Sequence, residues 1–227
     1  YSTQALFFDY DLDQDLDLYL LNHSVHGNGT FAKASSRKEP HPTSGDRLYE
    51  NMGNGFRDVT EQSGIYSSVL GYGLGVVSGD VNNDGYPDVY VANDFHEDDY
   101  LYINQGDGTF KDMRPEAMGH TTRFSMGADI ADINNDGLPD ILSLDMLPED
   151  PKMLKASAAE DPYDVYQFKL NFGYNHQYAR NALQLNRGDG RFSQMSLYAG
   201  IASTDWSWAA LMADFDADGL KDIVVSN

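Results

Sequence analysis

Four copies of one aspartate-rich loop, each bracketed by short alternating stretches, predict an all-β chain. Interleaved glycine-turn hairpins sharpen this to a β-propeller of four-stranded antiparallel blades, about three and a half of them in 227 residues. A hydrophobic content of 41%, with 12% aromatic residues, supports a genuine core and not a disordered acidic tail.

The loops are DYDLDQDLD (9–17), DVNNDGYPD (80–88), DINNDGLPD (132–140) and DFDADGLKD (214–222), all fitting D-x-[DN]-x-D-[GQ]-x-x-D. Small or apolar stretches such as GLGVVSG and MGADIA precede them and read as strand A. Alternating apolar segments follow (LYLLN, VYVAN, ILSLD, IVVSN) and read as strand B. LYENMGNGF (48–56), LYINQGDGTF (101–110) and LQLNRGDGRF (183–192) are strand–turn–strand hairpins, which supply strands C and D. The order A, loop, B, connection, C, turn, D recurs at intervals of 52 to 82 residues.

One propeller domain is therefore expected. Blade one spans 5–60 with an insertion at 23–46, blade two 71–114, and blade three 126–196 with an insertion at 146–181; a half blade spans 207–227. So few blades do not close a ring of the usual size, and another chain or a flanking segment is expected to complete it. The lack of a signal peptide and of Met at position 1 fits a piece of something longer.

The chain carries 36 acidic against 15 basic residues, a net charge of −21, which argues against nucleic acid as a partner. No apolar run is long enough for membrane insertion. Without cysteine there is no disulfide or thiolate chemistry, and the redox compartment stays open.

The loop spacing explains much of the acid. Oxygen ligands at positions 1, 3, 5 and 9, with a backbone carbonyl at 7, are the ligand spacing of a calcium loop, and glycine at 6 permits the sharp turn. The flanks have strand period, however, and the twelfth position is Leu20, Val91, Ser143 or Val225 where an EF-hand requires a bidentate Glu. Several carboxylates in one loop repel one another unless neutralised, and four divalent ions would offset eight negative charges. All-oxygen donors favour Ca²⁺ over transition metals. Loops 9–17 and 214–222 offer four carboxylates each, and Asn82 and Asn134 reduce the other two to three. Gln14 occupies the glycine slot of the first loop, which implies strain if φ there is positive.

The repeated D-x-[DN]-x-D-G-x-x-D, followed by LYxNxGDGTFxD, resembles the FG-GAP/VCBS repeat family: the propeller repeats of integrin α subunits, bacterial VCBS proteins and the cartilage acidic protein group. That resemblance implies up to four Ca²⁺ sites and an extracytoplasmic setting (secreted, periplasmic or cell surface). The ligands it implies are Asp9, Asp11, Asp13 and Asp17; Asp80, Asn82, Asp84 and Asp88; Asp132, Asn134, Asp136 and Asp140; Asp214, Asp216, Asp218 and Asp222. Backbone carbonyls of Asp15, Tyr86, Leu138 and Leu220 would complete the sets.

Other signals weigh less. RGD at 187–189 occupies the hairpin turn used by QGD (105–107) and MGN (52–54), so Arg187 reads as a variable turn residue. GYGLGV (71–76) has the wrong spacing for a dinucleotide fingerprint and suits an innermost strand crowding the channel. NDFHEDDY (93–100) gathers Asp94, His96, Glu97, Asp98 and Asp99 and is expected to be a solvated loop, a second metal site or an acid–base cluster being the alternatives. NHS (22–24) and NGT (28–30) are glycosylation sequons that matter only in a eukaryotic secretory host. Both insertions are B–C connections and extend the face opposite the aspartate loops. Segment 146–181 is expected to be partly helical and either to pack beneath its blade or to recognise a partner or glycan.

The expected function is a non-enzymatic module of a secreted or surface protein, binding a protein or glycan ligand in adhesion, with Ca²⁺ in a structural role. Two alternatives stand beside it. One is a carbohydrate-active lyase or hydrolase using residues such as His176, Tyr178 and Arg180. The other is an assembly repeat completed by another chain.

Overall fold

The computed structural model describes residues 1–25, 32–157 and 161–227. It is a partial all-β propeller. The first sheet runs β1 (Ser2–Phe8), β2 (Asp17–Asn22), β3 (Arg47–Asn51) and β4 (Phe56–Asp58). The second runs β5 (Gly73–Gly79), β6 (Asp88–Asn93), β7 (Tyr100–Asn104) and β8 (Phe110–Asp112). After β9 (Thr121–Thr122), the third sheet takes β10 (Ala128–Ala131) and β11 (Asp140–Ser143). The chain then passes β12 (Gln177–Tyr178) before β13 (Ala182–Asn186) and β14 (Phe192–Gln194) close that sheet. A two-stranded sheet of β15 (Ala209–Ala213) and β16 (Asp222–Ser226) follows.

Each four-stranded sheet is an antiparallel meander in chain order. The first strands lie side by side, β1 against β5, β5 against β10 and β10 against β15. Small residues make this approach feasible. A Cβ at Gly75 would stand 2.9 Å from the Met126 carbonyl, and one at Gly127 would stand 2.5 Å from that of Trp208. Side chains also stitch the inner strands: Gln4 bonds both the N–H (2.9 Å) and the C=O (3.1 Å) of Val76, and Asp129 accepts from Met212 N–H at 2.6 Å.

The core lies between the blades. Strand period sends Val89 and Val91 of β6 toward the first sheet, against Tyr19, Leu21 and Leu48, and Tyr90 and Ala92 toward the third, with Ile141. Leu142, Leu144 and Leu183 meet Met212 of the last sheet. Each interior sheet is thus buried on both faces, whereas Leu211 and Val224 on the two-stranded sheet are about half exposed.

The B–C insertions are partly helical. A 3-10 turn covers Ala34–Lys38, and helices cover Pro151–Ala156 and Tyr163–Asn171. The strand β12 pairs in parallel with β9, tying the larger insertion to the connection between blades two and three. Among the described residues no helix is long and apolar enough to cross a membrane.

Candidate functional site

Each aspartate loop is a strand A to strand B turn shaped by its own carboxylates. The first aspartate accepts two backbone N–H groups, from positions five and six. For Asp80 these are Asp84 (3.0 Å) and Gly85 (2.8 Å); Asp9, Asp132 and Asp214 repeat the pattern. Position three accepts the same N–H as position one at position five, and position five accepts the N–H of position seven. Asp15, Tyr86, Leu138 and Leu220 are those position-seven donors.

The loops differ in how tightly the acids converge. Asp9, Asp11 and Asp17 each place a carboxylate oxygen within 4.8 Å of the others, as do Asp214, Asp216 and Asp218. Asp11 is pushed up by partial burial and by neighbouring Asp13. In the middle loops the Asn82 and Asn134 amides donate to Asp84 and Asp136 (2.8 and 2.9 Å), and among the described residues no three carboxylates there come as close.

Position nine does structural work as well. Asp17, Asp88 and Asp140 open strand B, are buried, and accept two backbone bonds each. One comes from position two of their own loop (Tyr10 3.2 Å, Val81 2.9 Å, Ile133 3.0 Å). The other comes from the asparagine ending strand C (Asn51 2.8 Å, Asn104 2.8 Å, Asn186 2.7 Å). Burial pushes Asp17 up to about 6 and Asp88 up to about 7.

Those asparagines are residues the sequence reading passed over, although LYxN or LQLN recurs in every hairpin. Asn104 Nδ2 donates to Tyr10 of the preceding loop (2.8 Å) and Asn186 Nδ2 to Val81 (2.7 Å), so strand C of one blade grips the loop of the last. Position four adds a second link. Asn83 and Asn135, at φ 57°, donate across to the Gly137 and Gly219 carbonyls (3.0 and 2.8 Å), and Leu12 at φ 63° has no amide with which to do so. Position six is left-handed in all four loops, including Gln14 at φ 76°.

On the opposite face, the expected solvated loop at NDFHEDDY is instead buried. Asp94, Glu97, Asp98 and Asp99 are 7% exposed or less, because the two insertions fold over them. Arg37 from the first insertion pairs with Glu97 (2.5 Å) and Asp98 (3.0 Å), and Arg114 also reaches Asp98 (3.4 Å). From the second insertion, Asn175 N–H donates to Asp98 and Gln177 Nε2 to the Glu97 carbonyl (2.6 Å). Asp99 accepts from Tyr90 Oη (2.6 Å) and Asn93 N–H (2.8 Å), as Asp46 does from Tyr19 Oη (3.0 Å) and Asn22 N–H (2.8 Å). Burial pushes both carboxyls up to about 7.

His176, Tyr178 and Arg180 do come together, joined by Tyr166 and His120. Arg187 lies in a hairpin turn closed by Arg187 N–H to Arg191 C=O (2.9 Å), matching Gln105 to Thr109 (2.9 Å). Asn22 of the first sequon is buried, with its amide donating to Gly45 C=O (2.8 Å), so the folded chain does not present it; the sequon at 28–30 lies outside the described residues. A groove of about 730 Å³ between blades one and two brings together Arg37, Arg47, Lys111, Asp58, Tyr66 and Phe110. Another of about 500 Å³, between blades two and three, reaches Asn82 and Asp84.

Meander blades joined by inter-blade asparagines, each opened by the same aspartate loop, define a repeat propeller. The FG-GAP-like repeat model matches residues 9–91, 80–143 and 171–225, and the chain belongs to that family. No curated protein sequence matches the chain significantly. Among solved structures, a lectin from Agrocybe aegerita, described as specifically recognising non-reducing terminal N-acetylglucosamine, aligns over 99% of this chain at 15% identity and a TM-score of 0.35. The chain spans 60% of that structure's length.

Proposed function

We propose that the chain is a calcium-stabilised propeller module of a secreted or cell-surface protein, binding a protein or glycan ligand and not turning one over. The observation that carries the calcium reading is the convergence of three carboxylates within 4.8 Å in each of the two most acidic loops. Only oxygens are offered, which suits a hard cation. Asp15 adds a buried Oδ1 without a hydrogen-bond partner among the described residues. Asp9, Asp11, Asp13 and Asp17, and their counterparts in the other loops, would hold the ion. Bound there, it would neutralise the loop and pin strand A to strand B. Extracellular modules bind calcium with dissociation constants of about 10⁻⁴–10⁻³ M, and sites of that kind would fit an extracytoplasmic setting.

The non-catalytic reading is supported by the opposite face, where the carboxylates that could serve as acid or base are closed off in ion pairs and backbone bonds. The half-exposed two-stranded sheet suits completion of the propeller by a flanking segment or another chain.

Adding Ca²⁺ to the chelated chain should raise its unfolding midpoint, by about 2.7 kcal/mol of stability per site at a hundredfold excess over Kd. Asp216→Asn keeps the acceptor for Asp218 N–H and removes one charge, so it should shrink the calcium increment without lowering chelated stability. An unchanged midpoint on calcium addition would sink the proposal.

A further inference from the structure

Beyond the buried carboxylates, the same face carries an aromatic and basic cluster built from three separate segments. Tyr166 Oη, from the helix at Tyr163–Asn171, lies 2.5 Å from His176 Nδ1. Its ring stacks on those of His176 and Tyr178, with centroids 5.9 and 6.4 Å apart and planes 27° apart in both cases. His120, from the connection following β8, meets Tyr178 edge-on at 5.0 Å. The Arg180 guanidinium sits 5.0 Å from the centre of the Tyr178 ring, and its Nη2 is 3.5 Å from His120 Nε2. Strand alternation explains the sidedness: Gln177 turns inward to the Glu97 carbonyl, and His176 and Tyr178 turn the other way.

Charge sets this cluster apart. Arg37, Arg114 and Arg123 on this face all hold carboxylates. Among the described residues none pairs with Arg180, and its buried Nε has no hydrogen-bond partner. His120 is pushed down to about 4, first by burial and then by the charges of Arg180 and His176, so near neutral pH it offers Arg180 a lone pair and no counter-charge. In a chain of net charge −21, Arg180 thus stands without a counter-ion among the described residues, beside the His176 and Tyr178 rings.

We propose that this cluster binds a sugar unit bearing one acidic group, a uronate or a sulfated monosaccharide. The sugar's C–H groups would pack against the exposed His176 ring and the half-buried Tyr178 ring, and its acid against Arg180. Aromatic side chains supply large, rigid contact area, and the guanidinium fork matches a carboxylate or sulfate. One guanidinium neutralises one charge, and the net charge of the chain repels polyanions, which favours a short acidic saccharide over nucleic acid or a multiply phosphorylated peptide. The inference rests on the binding-module reading and names its ligand class and site.

The test is calorimetric titration of the calcium-saturated chain with a disaccharide carrying a single uronate and a disaccharide carrying a single sulfate. Maltotriose, inorganic sulfate and a singly phosphorylated tyrosine peptide serve as comparisons. At least one acidic sugar should bind at millimolar concentration or better, and maltotriose at least about tenfold more weakly. Arg180→Gln should weaken acidic-sugar binding by about tenfold or more, Tyr178→Ala should also weaken it, and Arg187→Gln in the distant hairpin turn should change nothing. Four outcomes overturn the proposal: no binding of either acidic sugar, equal binding of maltotriose, wild-type affinity in Arg180→Gln, or tighter binding of sulfate alone or of the phosphopeptide. The calcium-dependent midpoint is read on the same samples. If it persists while no sugar binds, only this site falls; if it is absent, the module reading fails whatever the sugars do.

Discussion

Replacing Gln14 by glycine isolates the strain in the first aspartate loop. Gln14 has φ 76°, in the left-handed region, where the corresponding residues Gly85, Gly137 and Gly219 have φ 86° to 93°. Its side chain is exposed, and the bond that matters, from its N–H to Asp9 Oδ2 (3.0 Å), belongs to the backbone and survives the change. Holding a non-glycine residue there costs about 1–2 kcal/mol. Glycine's extra freedom in the unfolded chain returns about 0.4–1 kcal/mol of that. The net gain should be about 0.5–1 kcal/mol, a rise of about 1–4 °C in melting midpoint for a chain of this length. Gly85→Gln is the mirror experiment. A Cβ at Gly85 meets nothing within 4 Å, so only the backbone conformation opposes it, and it should lose a similar amount. Both are read by denaturant unfolding, chelated and calcium-saturated. A lower midpoint for Gln14→Gly, or a neutral Gly85→Gln, would refute the reasoning.

Other substitutions probe the scaffold. Asp88→Asn leaves one oxygen to serve two backbone donors, Val81 and Asn104, and should lose about 1–3 kcal/mol of stability in denaturant unfolding. Arg37→Met strips the buried Glu97 and Asp98 of their nearest cation and should lose about 3–5 kcal/mol, visible as a large fall in midpoint. The folded pKa of Asp46, about 7, lies above its ordinary value, so its burial destabilises most at high pH. Stability of the chelated chain should therefore rise as pH falls from 8 toward 5, Asp46 contributing up to about 1.4 kcal/mol per pH unit below pH 7, and Asp46→Asn should flatten that slope.

The repeat makes the propeller legible in the sequence. Aspartates at fixed spacing, glycine at position six and strand-period flanks are all local, and backbone sterics and hydrogen bonding within nine residues suffice to shape them. Even the Gln14 anomaly was visible, because its three sister loops have glycine in that slot. What joins one blade to the next was not legible in the same way. Asn104 and Asn186 appear in the hairpin motif, yet their partners Tyr10 and Val81 lie 94 and 105 residues away. Only inter-blade packing brings those groups into contact.

The run NDFHEDDY shows the limit most clearly. Composition alone makes four carboxylates in eight residues a solvated loop, since isolated buried charge is prohibitive. Arg37, 61 residues before Asp98, and Asn175, 77 after it, reverse that outcome by arriving from two insertions to pair and cover them. The same folding of insertions gathers His120, Tyr166, His176, Tyr178 and Arg180 while leaving Arg180, among the described residues, without a carboxylate. Sequence by itself determined the repeating frame and its acidic loops, because those depend on neighbours along the chain. The tertiary structure decided which charges are paired, which are buried and which stand without a counter-ion among the described residues, because ion pairing and desolvation depend on neighbours in space.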